Sequence, residues 1–207
     1  MTKVKICGIT NLEDALFAQE AGADILGFIF AESARSVEPE VAADIIRRLS
    51  DGIKVSALFV NQEKAFVDKV IEQLGRVDLL QFHGDETPDY CRGFSGKEII
   101  KVFRVKNEAT LKRISNYKGV NFILLDTFKE SQYGGTGEAF DWNIALKARE
   151  YGIPIFLSGG LRPDNVNEAV SKVTPYGVDV SSGVEASPGK KDPGLVKDFI
   201  SEAKRGS

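Results

Sequence analysis

A thiol and a carboxylate, each delivered by a short apolar run, are the residues of this chain best equipped to do chemistry. In Lys5-Ile6-Cys7-Gly8 the run ends on Cys7 and turns at once toward a helix; in Phe122-Ile123-Leu124-Leu125-Asp126 a much later run ends on Asp126. If both runs are strands of one closed parallel barrel, their side chains stand over the same mouth, a base and an acid for one small molecule. That is the layout of an isomerase that works by moving protons. A free thiol titrates near about 8.5, so Cys7 as a base must be drawn toward the thiolate, while Asp126 as an acid must carry its proton into the complex. The amino-terminal dipole of a helix beyond Gly8 would favour the thiolate.

Two further runs end in glycines. Ser158-Gly159-Gly160-Leu161-Arg162-Pro163 follows the seventh run and Ser181-Ser182-Gly183-Val184-Glu185 the eighth. Glycines let backbone N–H groups approach an anion, and barrels often seat a phosphate on these two loops. A third cluster, Gly134-Gly135-Thr136-Gly137, lies in the connection from Asp126 to Asp141. This connection is longer than the usual βα link of about two to six residues, which predicts a cover over the mouth.

These residues need elements to position them. Apolar runs at 3–7, 24–30, 53–60, 77–82, 98–105, 121–126, 154–158 and 177–181 alternate with segments of helical period. Such alternation predicts repeated βα units and a parallel sheet. Thr10 and Glu13 fit a capping box for the first helix and Gly22 fits its left-handed end. Pro39, Pro163 and Pro193 suit the first turns of later helices. The remaining helical stretches are expected at 39–49, 63–74, 87–93, 108–116, 141–151, 163–172 and 193–204. Eight strands each followed by a helix predict a (β/α)8 TIM barrel in the α/β class, and 207 residues suit a single domain over 1–207.

Strand alternation also pairs residues by face. Gln81 and His83 share one, Lys5 and Cys7 another, and Asp179 and Ser181 a third. On closure the first and eighth strands adjoin, so Lys5 and Asp179 are expected to meet as a buried pair below the mouth, since neither charge tolerates isolation there. Cys91 has no acid or base motif around it and reads as a structural thiol.

With 27 basic and 30 acidic side chains the net charge is −3, which gives no reason to expect nucleic acid or a membrane surface as partner. Two distant cysteines and one histidine do not make a structural zinc site, so no metal is expected. No apolar run is long enough to span a bilayer and no signal segment precedes the first strand, which predicts a cytoplasmic protein with reduced thiols.

The motifs together resemble the phosphoribosylanthranilate isomerases of tryptophan biosynthesis, nearly end to end. The likeness is carried by Lys5-Ile6-Cys7-Gly8-Ile9, Gly22-Ala23-Asp24, Gly27-Phe28, Gln81-Phe82-His83-Gly84, Leu124-Leu125-Asp126-Thr127, Gly134-Gly135-Thr136-Gly137, Ser158-Gly159-Gly160-Leu161 and Val178-Asp179-Val180-Ser181-Ser182-Gly183-Val184-Glu185. The resemblance implies an Amadori rearrangement of N-(5-phosphoribosyl)anthranilate to 1-(2-carboxyphenylamino)-1-deoxyribulose 5-phosphate. By the same resemblance Asp126 is the general acid, Cys7 the general base, and no cofactor is needed. Arg35 would meet the anthranilate carboxylate, although Ala34 stands where the family more often has proline. Gln81, His83 and Asp179 would contact substrate, and Gly135, Gly159, Gly160, Ser181, Ser182 and Gly183 the phosphate. Two alternatives stay open at this point. A histidine-pathway isomerase of an aminoimidazole carboxamide ribotide performs the same rearrangement, but typically with an aspartate at the first strand end; a non-catalytic sugar-phosphate binder would need neither Cys7 nor Asp126. Monomer and homodimer are equally compatible with the sequence.

Overall fold

The computed structural model describes residues 1–127 and 142–207. Eight strands, β1 (Lys3–Cys7), β2 (Ile25–Ile29), β3 (Lys54–Phe59), β4 (Leu79–Phe82), β5 (Glu98–Val105), β6 (Phe122–Thr127), β7 (Ile155–Leu157) and β8 (Gly177–Val180), close in sequence order into one parallel barrel. Closure comes from β1 pairing β8, with Lys5 opposite Asp179. The predicted (β/α)8 architecture is the observed one.

Alternation along each strand sorts the side chains into two cores. Ile25, Leu79, Ile100, Val102, Phe122, Leu124 and Phe156 fill the barrel interior. Residues of opposite parity, among them Ile6, Leu26, Phe28, Val55, Ala57, Leu80, Phe82, Ile123 and Leu125, face the surrounding helices. Aromatic packing of Phe122 and Phe156, whose ring centroids are 5.4 Å apart, closes the lower interior. Burial of each such side chain contributes about 1.5–3 kcal/mol. The lower half of the barrel is therefore a stiff plug, and polar residues collect above it.

The connections are α1 (Leu12–Glu20), α2 (Pro39–Ile46), α3 (Lys64–Leu74), α4 (Pro88–Arg92), a 3₁₀ helix at Glu108–Asn116 in the fifth position, α5 (Trp142–Ala148), α6 (Val166–Val173) and α7 (Pro193–Arg205). Two local expectations are corrected. Asn11, not Thr10, caps α1 by accepting from the Asp14 N–H at 2.9 Å, and the Thr10 hydroxyl donates to the Gly189 carbonyl instead. Pro163 precedes α6 in a turn, whereas Pro39 and Pro193 do open their helices. Between β8 and α7 the chain inserts a small antiparallel hairpin, β9 (Glu185–Ser187) with β10 (Lys190–Lys191), for which a two-residue strand left no periodic signal.

Candidate active site

One cavity opens at the carboxyl ends of the strands, with a volume of about 750 Å³ counting the solvent at its mouth. Cys7 from β1 and Asp126 from β6 both line it, so the thiol and the carboxyl group that the sequence pattern placed over one mouth do share one space. Arg35, Gln81, His83, Gly159, Gly160, Asp179, Ser181, Ser182 and Gly183 line it as well. Of the residues singled out from sequence, only Gly135, with its glycine cluster and the expected cover over the mouth, lies outside the described residues.

Cys7 is 3% exposed. It packs with Ile29 and Leu58, and the flanking Ala31 and Val60 extend an apolar wall up one side of the mouth. Burial pushes the Cys7 thiol above its ordinary value, against the opposing pull of the Lys5 ammonium. The sequence pattern pointed to a pull toward the thiolate; the cost of charging a buried sulfur is the larger effect.

Asp126 accepts the N–H of Thr127 on Oδ1 at 2.8 Å, which fixes the carboxylate plane. On its other side Oδ2 lies 3.3 Å from His83 Nε2, a close approach without the alignment of a hydrogen bond. His83 follows β4 and is tied down by its own N–H, which donates to the Phe59 carbonyl. Carboxylate and imidazole thus lie side by side in the cavity that Cys7 also lines.

Below the mouth Lys5 Nζ donates to Asp179 Oδ1 at 2.6 Å, and Asp179 Oδ2 accepts from Ser158 Oγ at 3.2 Å. Lys5 is wholly buried. Burial alone would lower its pKa, but the Asp179 carboxylate and the Cys7 sulfur outweigh that and hold it above the ordinary lysine value. The pair inferred from alternation and closure exists as inferred.

At the rim Arg35 grips Glu185 through Nε and Nη2, with contacts of 2.9, 3.1 and 2.8 Å. Lys191 reaches the same carboxylate at 2.9 Å and the Ser181 carbonyl at 3.3 Å. Burial would raise the Glu185 carboxyl, but hydrogen bonds from Arg35 and the Lys191 ammonium hold it below the usual range. Glu185 and Lys191 were missed by sequence reasoning: Glu185 closes the eighth-strand motif, yet its partner Arg35 is 150 residues away.

The two glycine-bearing loops touch. A Cβ on Gly183 would overlap the Leu161 carbonyl, and one on Gly159, whose φ is +79°, would overlap Thr127 and approach Asp126 Oδ1 at 2.9 Å. Bare backbone is therefore packed against the acid side of the mouth. Ser181 Oγ and Gln81 Oε1 are buried with no hydrogen-bond partner among the described residues. Both line the cavity, and buried polar atoms of this kind call for a ligand's polar groups.

A thiol and a carboxyl group lining one barrel mouth, beside an arginine and two glycine-bearing loops, mark the (β/α)8 barrel enzymes, with a site suited to a small anionic molecule. Residues 4–202 match the model of the family described as N-(5'phosphoribosyl)anthranilate (PRA) isomerase, and the chain belongs to that family. It is 54% identical over 206 residues to the N-(5'-phosphoribosyl)anthranilate isomerase of Citrifermentans bemidjiense, covering 99% of this chain and 98% of that protein. The crystal structure of phosphoribosyl anthranilate isomerase from Thermotoga maritima superposes with a TM-score of 0.92 at 44% identity, over 99% of each chain. A second solved structure, of phosphoribosyl anthranilate isomerase in complex with reduced 1-(o-carboxyphenylamino)-1-deoxyribulose 5-phosphate, has a TM-score of 0.89 at 43% identity, again over 99% of each chain.

Proposed function

We propose that the chain converts N-(5'-phosphoribosyl)anthranilate to 1-(2-carboxyphenylamino)-1-deoxyribulose 5-phosphate, with Asp126 as general acid and Cys7 as general base. The observation that carries this reading is that both side chains line one cavity together with Arg35 and the two glycine-bearing loops. Phosphate sits on the backbone around Gly159, Gly160, Ser182 and Gly183 with the Ser181 hydroxyl. The anthranilate ring lies against Ile29, Leu58 and Val60, and its carboxylate meets Arg35, whose planar fork suits it. Glycine at these loops keeps the anion close to N–H groups, where charge is best met without a cation.

Asp126 gives its proton to the furanose ring oxygen, the C1′–O bond breaks, and the nitrogen lone pair forms the iminium of an open chain. Cys7, as thiolate, takes the C2′ proton. The C2′–H electron pair becomes the C1′–C2′ double bond and the iminium becomes a neutral enolamine. Transfer of the C2′ hydroxyl proton, with protonation at C1′, yields the ketone. The iminium is the electron sink, and each positioned proton transfer contributes about 10² to 10⁴ in rate. His83, beside that carboxyl and with its Nε2 unpartnered among the described residues, offers the substrate a polar contact. The reduced thiols of Cys7 and Cys91 fit a cytosolic enzyme.

Steady-state conversion of phosphoribosylanthranilate, followed by loss of anthranilate-type fluorescence, tests the reading. Cys7→Ala and Asp126→Asn should each lower kcat by about 10² or more while substrate binding changes little. If Cys7→Ala keeps kcat within about tenfold of wild type, Cys7 is not the base; if wild type binds without turnover, the chain is a sugar-phosphate binder.

A further inference from the structure

Among the described residues Lys5 is the one fully buried ammonium inside the barrel, and the proposed acid–base chemistry gives it no task. Its pairing with Asp179 does not explain it as a stabilising device, because a buried ion pair is often no better for stability than apolar residues of the same volume. Its position is more informative. Lys5 and Cys7 are two residues apart on β1 and point to the same side, and opposite them β2 presents Gly27, which has no side chain. An ideal Cβ on Gly27 would lie 2.9 Å from Cys7 Sγ and 3.0 Å from Lys5 Nζ, so sulfur and ammonium border the same small space. Asp179, braced by Ser158, holds the ammonium from the other side.

A buried sulfur has to be anionic to take a proton from carbon, and few groups reach it. From its own strand the charged neighbour is Lys5, from β8 it is Asp179, and from β10 it is Lys191. β2 contributes only Gly27 and Ile29 beside it, while Asp126, His83 and Arg35 line the mouth around it. Resting on the reading of Cys7 as the base, we propose that Lys5 is a positioning residue for the reaction. Its ammonium, held by Asp179 and Ser158, stabilises the anionic form of the Cys7 sulfur at the floor of the mouth. Asp179 opposes that effect by partly cancelling the charge, so that the thiolate is formed without losing the basicity needed at C2′. When the C2′ proton reaches sulfur, the thiolate becomes a neutral thiol and the ammonium is left with Asp179 alone, a pairing already in place at 2.6 Å.

The test is the ultraviolet thiolate absorbance of Cys7 against pH in a Cys91→Ser protein, taken as the difference from a protein carrying both Cys7→Ser and Cys91→Ser. Lys5→Met should make Cys7 titrate about one pH unit higher or more, and Asp179→Asn should make it titrate lower. At neutral pH the kcat of Lys5→Met should fall more than about tenfold, with a smaller change in KM and a deficit that shrinks as pH rises. A merely structural lysine would not give shifts of opposite sign at its two ends. Should Lys5→Met fail to fold because Asp179 is left unpaired, the neutral pair Lys5→Met with Asp179→Asn replaces it, and Cys7 should still titrate above wild type. An unmoved titration in whichever of these proteins folds, or shifts of the same sign in Lys5→Met and Asp179→Asn, overturns the proposal. The titration does not depend on turnover: a thiol that responds to Lys5 in a protein whose kcat ignores Cys7→Ala would retire Cys7 as base while leaving the electrostatic coupling intact.

Discussion

Arg35 shows how much of a side chain's work is done by the group that holds it. Three contacts to Glu185, itself braced by Lys191, fix the guanidinium at the rim, so that on the proposed reading a substrate carboxylate meets a preset group rather than a mobile arm. A charge-assisted hydrogen bond contributes about 1.5–3 kcal/mol. Arg35→Ala should therefore raise KM about ten- to a hundredfold and leave kcat within a few-fold; a loss confined to kcat would mean that Arg35 serves the chemistry and not the binding. Gly27 makes the complementary point, since what matters there is an absent atom. The added methyl of Gly27→Ala would press on Cys7 Sγ, Lys5 Nζ and, at 3.2 Å, the Cys7 Cα. Overpacking costs about 1–3 kcal/mol, but the larger effect falls on the aim of the sulfur. We expect kcat to drop more than about tenfold in a protein that still melts cooperatively; unchanged kcat would show that the sulfur has room to spare.

Elements position these residues through connections that a linear pattern does not display. Strand alternation made Lys5 and Asp179 legible, because one parity rule and one closure rule put them on adjoining strands. It made Lys101 illegible. That residue sits in the apolar run of β5 and points outward, where Nζ donates to the Gly84 carbonyl at 2.7 Å, Glu86 Oε2 at 2.9 Å and the Phe82 carbonyl at 3.2 Å. Glu86 in turn accepts from the N–H groups of Asn61 and Gly84, and the Tyr117 hydroxyl donates to its carbonyl. The loop that carries His83 to Asp126 is thus pinned from three sides, centred on a lysine and a glutamate that look like surface charges in sequence. The β9–β10 hairpin escaped because its strands are too short to show alternation, and its cross-strand pair of Lys191 with Glu185 gains its use only from Arg35, 150 residues away. Lys101→Met should cost about 3–5 kcal/mol, because it strands the Glu86 carboxylate in the interior. Urea unfolding measures this, and a loss below about 1 kcal/mol would show that water or another cation satisfies Glu86.

At the scale of the whole molecule the barrel's closure was readable from eight apolar runs, whereas its response to pH depends on which groups the closed barrel buries. Cys91 on α4 is 1% exposed and does nothing at the mouth. Burial pushes its thiol up to about 11, with Glu86 raising it further and Lys101 opposing. In the unfolded chain the same thiol ionises near about 8.5. The sign follows from linkage: a raised folded value means that the native state keeps a proton the unfolded state gives up, so the contribution is complete below about 8.5 and is lost as pH climbs toward 11. Burial raises Cys7 in the same sense and lowers Lys191 in the opposite one, so the alkaline behaviour of the wild type mixes several groups. A difference measurement isolates one of them. Cys91→Ala removes a little packing equally at every pH and removes the thiol's titration altogether, while the other groups remain in both proteins and largely cancel. The stability advantage of wild type over Cys91→Ala should accordingly be constant from neutral pH to about 8.5 and shrink steadily above it. Urea unfolding of both proteins across that range checks the expectation; parallel stability curves would mean that Cys91 ionises as freely in the barrel as in the unfolded chain.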